Sequence, residues 1–150
     1  MNYAELHCVS HYSFLRGASH PADLIKTASA LGYRALALTD ECSLAGIVKA
    51  HVAAQEYGLQ LIIGSEFKLD GQRLIALVTN RQSYSELSAL ITLARRRSSK
   101  GEYNIRWSDL QHNLRSGLVV WLPSGRTDCD NPLAQNLSLI HISEPTRRRG

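Results

Sequence analysis

Five short apolar segments alternate with amphipathic helical segments along this chain, and that order restricts the fold more than any other feature. The predicted strands are residues 4–9, 35–39, 59–64, 74–79 and 117–122. Most of these segments are apolar runs and do not alternate apolar with polar residues, which is typical of strands buried on both faces of a parallel sheet. Parallel strands alternating with helices predict an α/β fold, either an α/β barrel or an open α/β sheet.

The first two predicted helices have clear starts, stops and apolar faces. Pro21 begins the first helix and Gly32 ends it, with an apolar face of Leu24, Ile25, Ala28 and Leu31. The second helix opens near Ser43 and ends at Gly58. Its predicted buried face is Leu44, Ile47, Val48, His51 and Val52, at the spacing of an amphipathic helix.

Two further helices follow the fourth predicted strand. Ser83 and Glu86 are spaced as a capping box and predict where the third helix starts. Its predicted buried stripe is Tyr84, Leu87, Leu90, Ile91 and Ala94. The segment 108–111 repeats the capping signal and predicts a short fourth helix, whereas 123–125 predicts a turn.

Composition excludes several classes of protein. A chain of 150 residues with 44% hydrophobic and 20% charged residues is long and apolar enough for one globular domain with a core. Cys8, Cys42 and Cys129 are too few and too scattered for a disulfide framework or a zinc ribbon, and they favour a reducing, cytoplasmic location. We see no signal peptide or membrane-spanning run in the sequence, so no membrane partner is expected.

The segment 137–150 differs from the rest of the chain. It has no clear period of 2 or 3.6 residues, and residues 137–147 resemble the translation of a sequencing adapter. We therefore expect residues 1–136 to be the N-terminal part of a longer protein and residues 137–150 to be a non-native tail. The tail holds three of the 17 basic and one of the 13 acidic residues, so the net charge falls from +4 to +2 without it. Charge alone therefore does not indicate nucleic-acid binding.

Ionisable residues follow three of the predicted strands. His7 lies near the end of the first strand, Asp40 and Glu41 follow the second, and Glu66 follows the third. Because the carboxyl ends of parallel strands meet at one edge, which is where ligands bind in such folds, we expect these side chains to lie close together. One imidazole and up to three carboxylates are ligand types for zinc, iron, manganese or magnesium. A metal held there could activate water for attack on a phosphoester.

Each of these residues also has a structural interpretation. A lone histidine such as His7 is more often hydrogen-bonded than a metal ligand. Asp40 fits equally the cap of the following helix, and Glu66 fits equally a solvated turn residue. His51 is expected to be a core histidine on the apolar helix face. Arg95, Arg96 and Arg97 suit the negative end of the third helix, with contact to nucleic-acid phosphate as the alternative.

Three segments of the chain resemble the polymerase and histidinol phosphatase (PHP) domain, and in particular the form found at the start of bacterial error-prone C-family DNA polymerases. The segments are AELHCVSHYSFLRGAS (4–19), LTDECSLAG (38–46) and IGSEF (63–67). A fourth stretch, 94–103, resembles the same subfamily. The similarity runs from about residue 3 to residue 125 and implies part of a PHP-type (β/α) barrel.

The resemblance implies a metal site of His7, Glu41 and Glu66, but one that has lost part of the family pattern. His7 and Glu66 match ligands of metal-binding members, and Glu41 stands where a histidine is usual. Val9 replaces the second histidine of the first motif, and Arg16 stands where an acidic residue is common. Valine has no ligand atom and arginine repels a divalent ion, so we expect a degenerate site in place of a full zinc or manganese cluster.

The same resemblance implies what the parent protein does. It would be a DNA-directed DNA polymerase of damage-induced translesion synthesis and repair, acting on DNA and deoxynucleoside triphosphates with Mg²⁺ held by palm aspartates. Other translesion-synthesis proteins are possible partners. No catalytic residue of that reaction is expected in these 150 residues, which would serve as a scaffold. The alternatives are an independent metal-dependent phosphoesterase or 3′–5′ exonuclease, and a non-enzymatic interaction module.

Overall fold

The computed structural model describes residues 2–122, which contain four helices and five strands. The chain divides into two compact units, with the boundary between Glu66 and Phe67. The elements in chain order are β1 (Ala4–Cys8), α1 (Pro21–Ala30), β2 (Ala35–Leu38), α2 (Ile47–Tyr57), β3 (Gln60–Leu69), β4 (Gln72–Leu77), α3 (Arg81–Arg96), α4 (Trp107–Asn113) and β5 (Leu118–Leu122).

The first unit is built on parallel strands joined by helices, as the sequence predicts. β2 lies between β1 and β3 and pairs with both in parallel. Ala35 is opposite Ala4 on one side and opposite Gln60 on the other. All four residues of β2 are buried, which confirms the interpretation of that apolar run as a central strand. The carboxyl ends of β1 and β2 therefore lie at one edge of the sheet.

The core of the first unit forms where α1 and α2 pack against the strands. Its buried members are Ile25, Ala28, Leu36, Leu38, Ile47, Ala50, Ala53, Ala54 and Leu59. The predicted face of α2 is wrong in part, because Val48 and Val52 are 72% and 59% exposed and His51 is also exposed. Alanines supply most of the buried stripe of α2, and their small side chains allow helices to approach closely.

The parallel order does not extend to the last two strands. β3 continues through Glu66 to Leu69, and a two-residue turn of Asp70 and Gly71 leads directly into β4. Both turn residues have positive φ, 48° and 77°, as in the tight turns that reverse a chain between antiparallel strands. β4 and β5 then pair antiparallel, with Ile75 opposite Val120.

The third helix starts earlier than predicted. Asn80 is its N-cap, and its side chain accepts a hydrogen bond from the backbone N–H of Ser83 at 2.8 Å. Ser83 is buried, and its hydroxyl oxygen accepts a hydrogen bond from the backbone N–H of Asn80, which completes the capping box. Glu86, the predicted capping acid, accepts instead from the hydroxyl of Ser116 at 2.7 Å. Leu87, Leu90 and Ala94 are buried as predicted, whereas Tyr84 is 38% exposed.

Some predictions fall on residues outside the described range. These are the turn at 123–125, the third cysteine, Cys129, and the segment 137–150 that the sequence predicts to be a non-native tail. Within the described range, none of the helices has the length and apolar character needed to cross a membrane. The cytoplasmic location stays a prediction.

The packing of α2 predicts opposite results for two substitutions on one helix. Ala50 is fully buried, so Ala50→Leu should overpack the core and lower the free energy of unfolding by about 1–3 kcal/mol. Val52→Ala on the exposed face is the matched control and should change it by less than about 0.5 kcal/mol. Urea unfolding followed by circular dichroism measures both. Equal effects would contradict the observed orientation of α2.

Candidate functional site

A buried carboxyl group lies at the end of β2 and organises the segment that connects β1 to α1. Asp40 is 2% exposed and accepts hydrogen bonds from the backbone N–H of Ser10 at 2.7 Å and from the Ser10 hydroxyl at 2.7 Å. The hydroxyl of Ser13 donates to the same carboxyl at 2.9 Å. Asp40 therefore neither caps a helix nor faces an open site. It anchors the connecting segment, residues 9–20, which we call the β1–α1 loop.

Ser10 and Ser13 hold the site together through Asp40, although neither is a candidate site residue from the sequence. Both are buried, and the Ser13 hydroxyl also accepts a hydrogen bond from the backbone N–H of Glu41 at 2.9 Å. The signal that could have indicated them is the serine-rich composition of the turn itself, because serine side chains commonly bond to nearby backbone groups. Nothing in the sequence pattern links them to Asp40, which is 27 residues away from Ser13.

The β1–α1 loop is tightly folded. A Cβ atom on Gly17 would lie 2.0 Å from the carbonyl oxygen of Ser10, so only glycine fits at that position. Leu15 has a φ of 62°, a left-handed conformation that costs energy for a residue with a side chain. The backbone N–H groups of Arg16 and Gly17 both donate to the carbonyl of Ser13, at 3.0 and 3.1 Å. The backbone of Arg16 is thus held next to Ser13, whose hydroxyl bonds to Asp40; we call Asp40 with Ser10 and Ser13 the Asp40 anchor.

The three predicted ligands come together at this edge, but an arginine lies among them. Glu41, just beyond the end of β2, forms a parallel β-bridge with Glu66, which lies within β3. One guanidinium nitrogen of Arg16, Nη1, lies 3.1 Å from Glu41 Oε2 and 2.9 Å from Glu66 Oε1. The other oxygen of Glu66, Oε2, lies 2.9 Å from His7 Nε2. The four side chains form one connected group, which we call the Arg16 cluster.

Electrostatics in the Arg16 cluster favour its ionised form. Glu66 is 1% exposed, and burial by itself disfavours a charged carboxylate. The hydrogen bonds from His7 and Arg16 outweigh that effect and lower the pKa of Glu66 below its usual value. Burial likewise opposes the charge of Arg16, but its bonds to Glu66 and Glu41 raise the pKa of the guanidinium. Both charges are therefore held at neutral pH.

The residues of the Arg16 cluster do not fit a divalent metal ion as they stand. In the part of the chain that the structure describes, no three His, Cys, Asp or Glu side chains are arranged to hold one. A guanidinium contacts both glutamates at the position where a bound cation would have to lie. Neighbouring Cys8 adds no thiolate, because burial raises the pKa of its thiol to about 11.

The arginines at the end of α3, in the second unit, have mostly local partners. Arg95 donates to the carbonyls of Gly101 and Glu102, both at 3.2 Å. Arg97 forms a bidentate ion pair with Asp109, with 3.0 Å between Arg97 Nη2 and Asp109 Oδ1. Its hydrogen bond lowers the pKa of the Asp109 carboxyl. Arg96 is exposed, and contact of these residues with phosphate stays a prediction.

Comparison with known proteins gives a consistent result. The family model of the PHP domain matches residues 5–137. A protein named error-prone DNA polymerase from Saccharophagus degradans is 57% identical over 124 residues, and another from Dechloromonas aromatica is 58% identical over 127 residues. These alignments cover 82% and 81% of this chain, but only 12% of either relative. The chain thus spans a small part of the length of the curated relatives it matches.

Solved structures with a similar fold share little sequence with this chain. One is a Bifidobacterium adolescentis protein assigned by name as a metal-dependent phosphoesterase, with a TM-score of 0.63 and 17% identity, covering 95% of this chain and 76% of that one. Another is an amidohydrolase from Chromobacterium violaceum, with a TM-score of 0.60 and 18% identity, covering 91% of this chain and 72% of that one. Together with the observed strands and helices, these neighbours confirm the predicted α/β fold class.

The Asp40 anchor predicts a graded series of stability losses. Asp40→Ala leaves the buried N–H of Ser10 without its acceptor and should lower the free energy of unfolding by about 3–5 kcal/mol. Asp40→Asn should cost less, because the Ser10 hydroxyl can turn to accept from the new amide. Asp23→Ala, on the exposed side of α1, is the control and should cost less than about 1 kcal/mol. Urea unfolding ranks the three, and a harmless Asp40→Ala would contradict the anchor.

The lowered pKa of Glu66 predicts acid sensitivity of a defined sign. Because the folded-state pKa of Glu66 lies below the ordinary glutamate value of 4.5, the unfolded chain binds the proton more readily. The contribution of Glu66 to stability is therefore complete above about that pH and is lost as the pH falls through the lower folded-state pKa. Thermal midpoints of the native chain and Glu66→Gln, measured from pH 7 to pH 3, should converge as the pH falls. Parallel curves would show that Glu66 is not held ionised.

Proposed function

Because this chain belongs to the PHP domain family, we propose that it forms the N-terminal region of an error-prone DNA polymerase. The supporting observation is the identity of 51–58% with proteins of that name over four-fifths or more of the chain. The parent protein would join deoxynucleotides to a primer on a DNA template, with Mg²⁺ ions that stabilise the attacking and leaving oxygens. Its working context would be damage-induced translesion synthesis and repair in the cytoplasm, together with other proteins of that pathway.

Within that parent, we assign the PHP domain a structural role. The observation that carries this assignment is the Arg16 guanidinium, which bridges Glu41 and Glu66 at 3.1 and 2.9 Å. Water activation needs a metal ion with an open coordination position, and a guanidinium offers neither a vacant position nor a means of lowering the pKa of water to neutrality. The cluster instead ties the β1–α1 loop to the ends of two strands.

A metal-dependent phosphoesterase or 3′–5′ exonuclease is the second candidate. The name of the Bifidobacterium adolescentis neighbour favours it, since the two folds are similar. Against it stand the positive charge of Arg16 between the glutamates and the apolar side chain at Val9. Fold similarity at 17% identity does not transfer an activity.

Contact of this region with DNA would depend on few side chains. Arg95 and Arg97 already bond to the backbone and to Asp109, whereas Arg96 is exposed at the end of α3. A phosphate contact from Arg96 would be a single, salt-sensitive interaction. We therefore place the main DNA and nucleotide contacts of the parent in regions outside this chain.

A full-length polypeptide that begins with this region provides the test. We expect it to extend a primer on a DNA template in the presence of Mg²⁺ and all four deoxynucleoside triphosphates. We expect 3′-end shortening of the primer and hydrolysis of p-nitrophenyl phosphate to be no greater than in the matched variant His7→Ala.

Two results would contradict parts of this proposal separately. Failure to extend the primer would remove the polymerase assignment. Hydrolysis that requires Mn²⁺ or Zn²⁺ and disappears in His7→Ala would replace the structural role with the phosphoesterase candidate.

A further inference from the structure

We propose that Phe14 and Leu15, at the tip of the β1–α1 loop, form an apolar anchor that docks into a pocket on a later part of the same long polypeptide. This docking rests on the function proposed above, because it needs a parent protein of which this chain is the N-terminal region. It assigns to the structural role a defined surface, and to the partner a defined chemistry, an apolar cavity in folded protein.

The tip leaves almost all of two adjacent apolar side chains in water. Phe14 and Leu15 are 86% and 89% exposed, more than any other large hydrophobic residue in the described part of the chain. An exposed apolar residue is ordinary when it stands alone on a surface. Two neighbours, one of them aromatic, mark a contact site more often, since aromatic side chains are enriched where proteins meet.

The loop behind the tip is firmly built, so a fixed backbone presents the two side chains. The N–H of His11 donates to the carbonyl of Ser19 at 2.9 Å and closes the loop. Tyr12 packs on the start of α2, where a Cβ atom on Gly46 would lie 3.1 Å from a carbon of its ring. The Asp40 anchor holds the loop from the inside. A surface held in this way loses little conformational entropy on docking, which favours binding.

The backbone of the tip is strained at a residue that contributes little to the core. Leu15 has a φ of 62°, a conformation that glycine adopts freely and that costs energy for a residue with a side chain. Because its side chain is 89% exposed, packing within the described residues does not offset this cost. Strain of this kind is found where a residue acts on something outside its own fold.

The parent protein offers a large amount of chain that can cover the tip. The alignment with the Saccharophagus degradans relative spans 124 residues and 12% of that protein, which is therefore about 1,000 residues long. Nearly all of a parent of that size lies outside this chain. We therefore assign the receiving pocket to that remainder, where burial of a phenylalanine and a leucine would stabilise the contact.

The charge of the loop favours protein over nucleic acid or membrane as the occupant. Arg16 is the only lysine or arginine in residues 9–20, and it is bound to Glu41 and Glu66. Phosphate contacts to DNA, and adsorption to an anionic lipid surface, both depend on basic side chains beside the inserted apolar group. The tip has the apolar group without those cations, which suits an apolar protein pocket.

Site-resolved thiol labelling tests the docking in the full-length polypeptide. Phe14→Cys and, separately, Leu15→Cys are treated with iodoacetamide, and mass spectrometry measures the rate at the substituted position. We expect labelling at least ~10-fold slower in the full-length polypeptide than in the 150-residue chain, because burial of the remaining side chain stabilises the docked state by that factor or more. Gln55→Cys, exposed on α2, is the matched control and should react equally in both proteins. Buried Cys42 reports that both are folded and should react slowly in each.

A second variant, Leu15→Gly, should act in opposite directions in the two proteins. In the 150-residue chain it removes a strained leucine and should raise the thermal midpoint by about 1–4 °C. In the full-length polypeptide that carries Phe14→Cys, it removes half of the anchor and should speed labelling at position 14. Val52→Ala, which trims exposed apolar surface on α2, should leave that rate unchanged. A lower midpoint of the short chain would show that Leu15 packs within this region, and would overturn the docking.

The outcomes separate the docking from the proposed function. Equal labelling of the tip in both proteins, with Cys42 protected in each, would overturn the docking and leave the polymerase assignment, which depends on primer extension. A protected tip in a protein that fails to extend a primer would remove the polymerase assignment alone.

Other occupants of the tip give different results. Protection that requires added primer–template DNA would overturn the protein pocket in favour of DNA. Protection that grows with the concentration of the 150-residue chain would overturn it in favour of a second copy. If Cys42 reacts quickly in the short chain, the full-length polypeptide alone decides. There, faster labelling at position 14 on Leu15→Gly supports the docking, and an unchanged rate overturns it.

Discussion

Negative charge gathers where the parallel strands end, and the first unit depends on the groups that compensate for it. Asp40 and Glu41 follow β2, and Glu66 lies beside them on β3. Parallel pairing brings these carboxyl groups to one edge whatever their purpose, because neighbouring strands run in the same direction. The β1–α1 loop supplies the compensating donors, and its conformation is explained by that requirement.

The carboxyl groups are compensated in two different ways. Asp40 accepts neutral donors, a backbone N–H and two serine hydroxyls, all within 2.9 Å. Glu66 is compensated by a charge, the guanidinium of Arg16, and by the imidazole of His7. The compensation of Glu66 depends on that of Asp40, because the loop that Asp40 anchors is the one that positions Arg16. Damage at Asp40 is therefore expected to weaken the ion pairs of Glu66 as well.

The sequence predicts which side chains meet at this edge of the sheet, but not the hydrogen bonds that hold them there. The approach of His7, Glu41 and Glu66 follows from strand order alone, and the structure places them together. Ser10 and Asp40 are 30 residues apart, and a contact between them produces no periodic pattern in the sequence. The helical period of α2 fits two overlapping faces, one with His51 and the valines and one with the alanines. The structure buries the alanine face, so the prediction of a core His51 is wrong.

The sequence contains a signal for the antiparallel part of the sheet. Asp70–Gly71 is a strong signal for a tight turn between antiparallel strands, whereas the apolar runs on either side of it resemble those of the parallel strands. An apolar run indicates burial on both faces of a strand but not its direction, so the turn residues carry more information on strand direction than the runs they join.

A guanidinium and a metal ion compensate two carboxylates in different ways, and the difference decides what chemistry this edge of the sheet can support. A bound ion supplies positive charge, open coordination positions and a water molecule of lowered pKa, but its occupancy varies with ion concentration. The Arg16 guanidinium supplies the charge alone, at full occupancy and as part of the folded chain. The guanidinium therefore compensates the negative charge of Glu41 and Glu66 without offering an open coordination position. The side chain that supplies this charge enters from the β1–α1 loop, which Asp40 anchors through Ser10 and Ser13, so the two compensated carboxyl sites depend on one loop conformation.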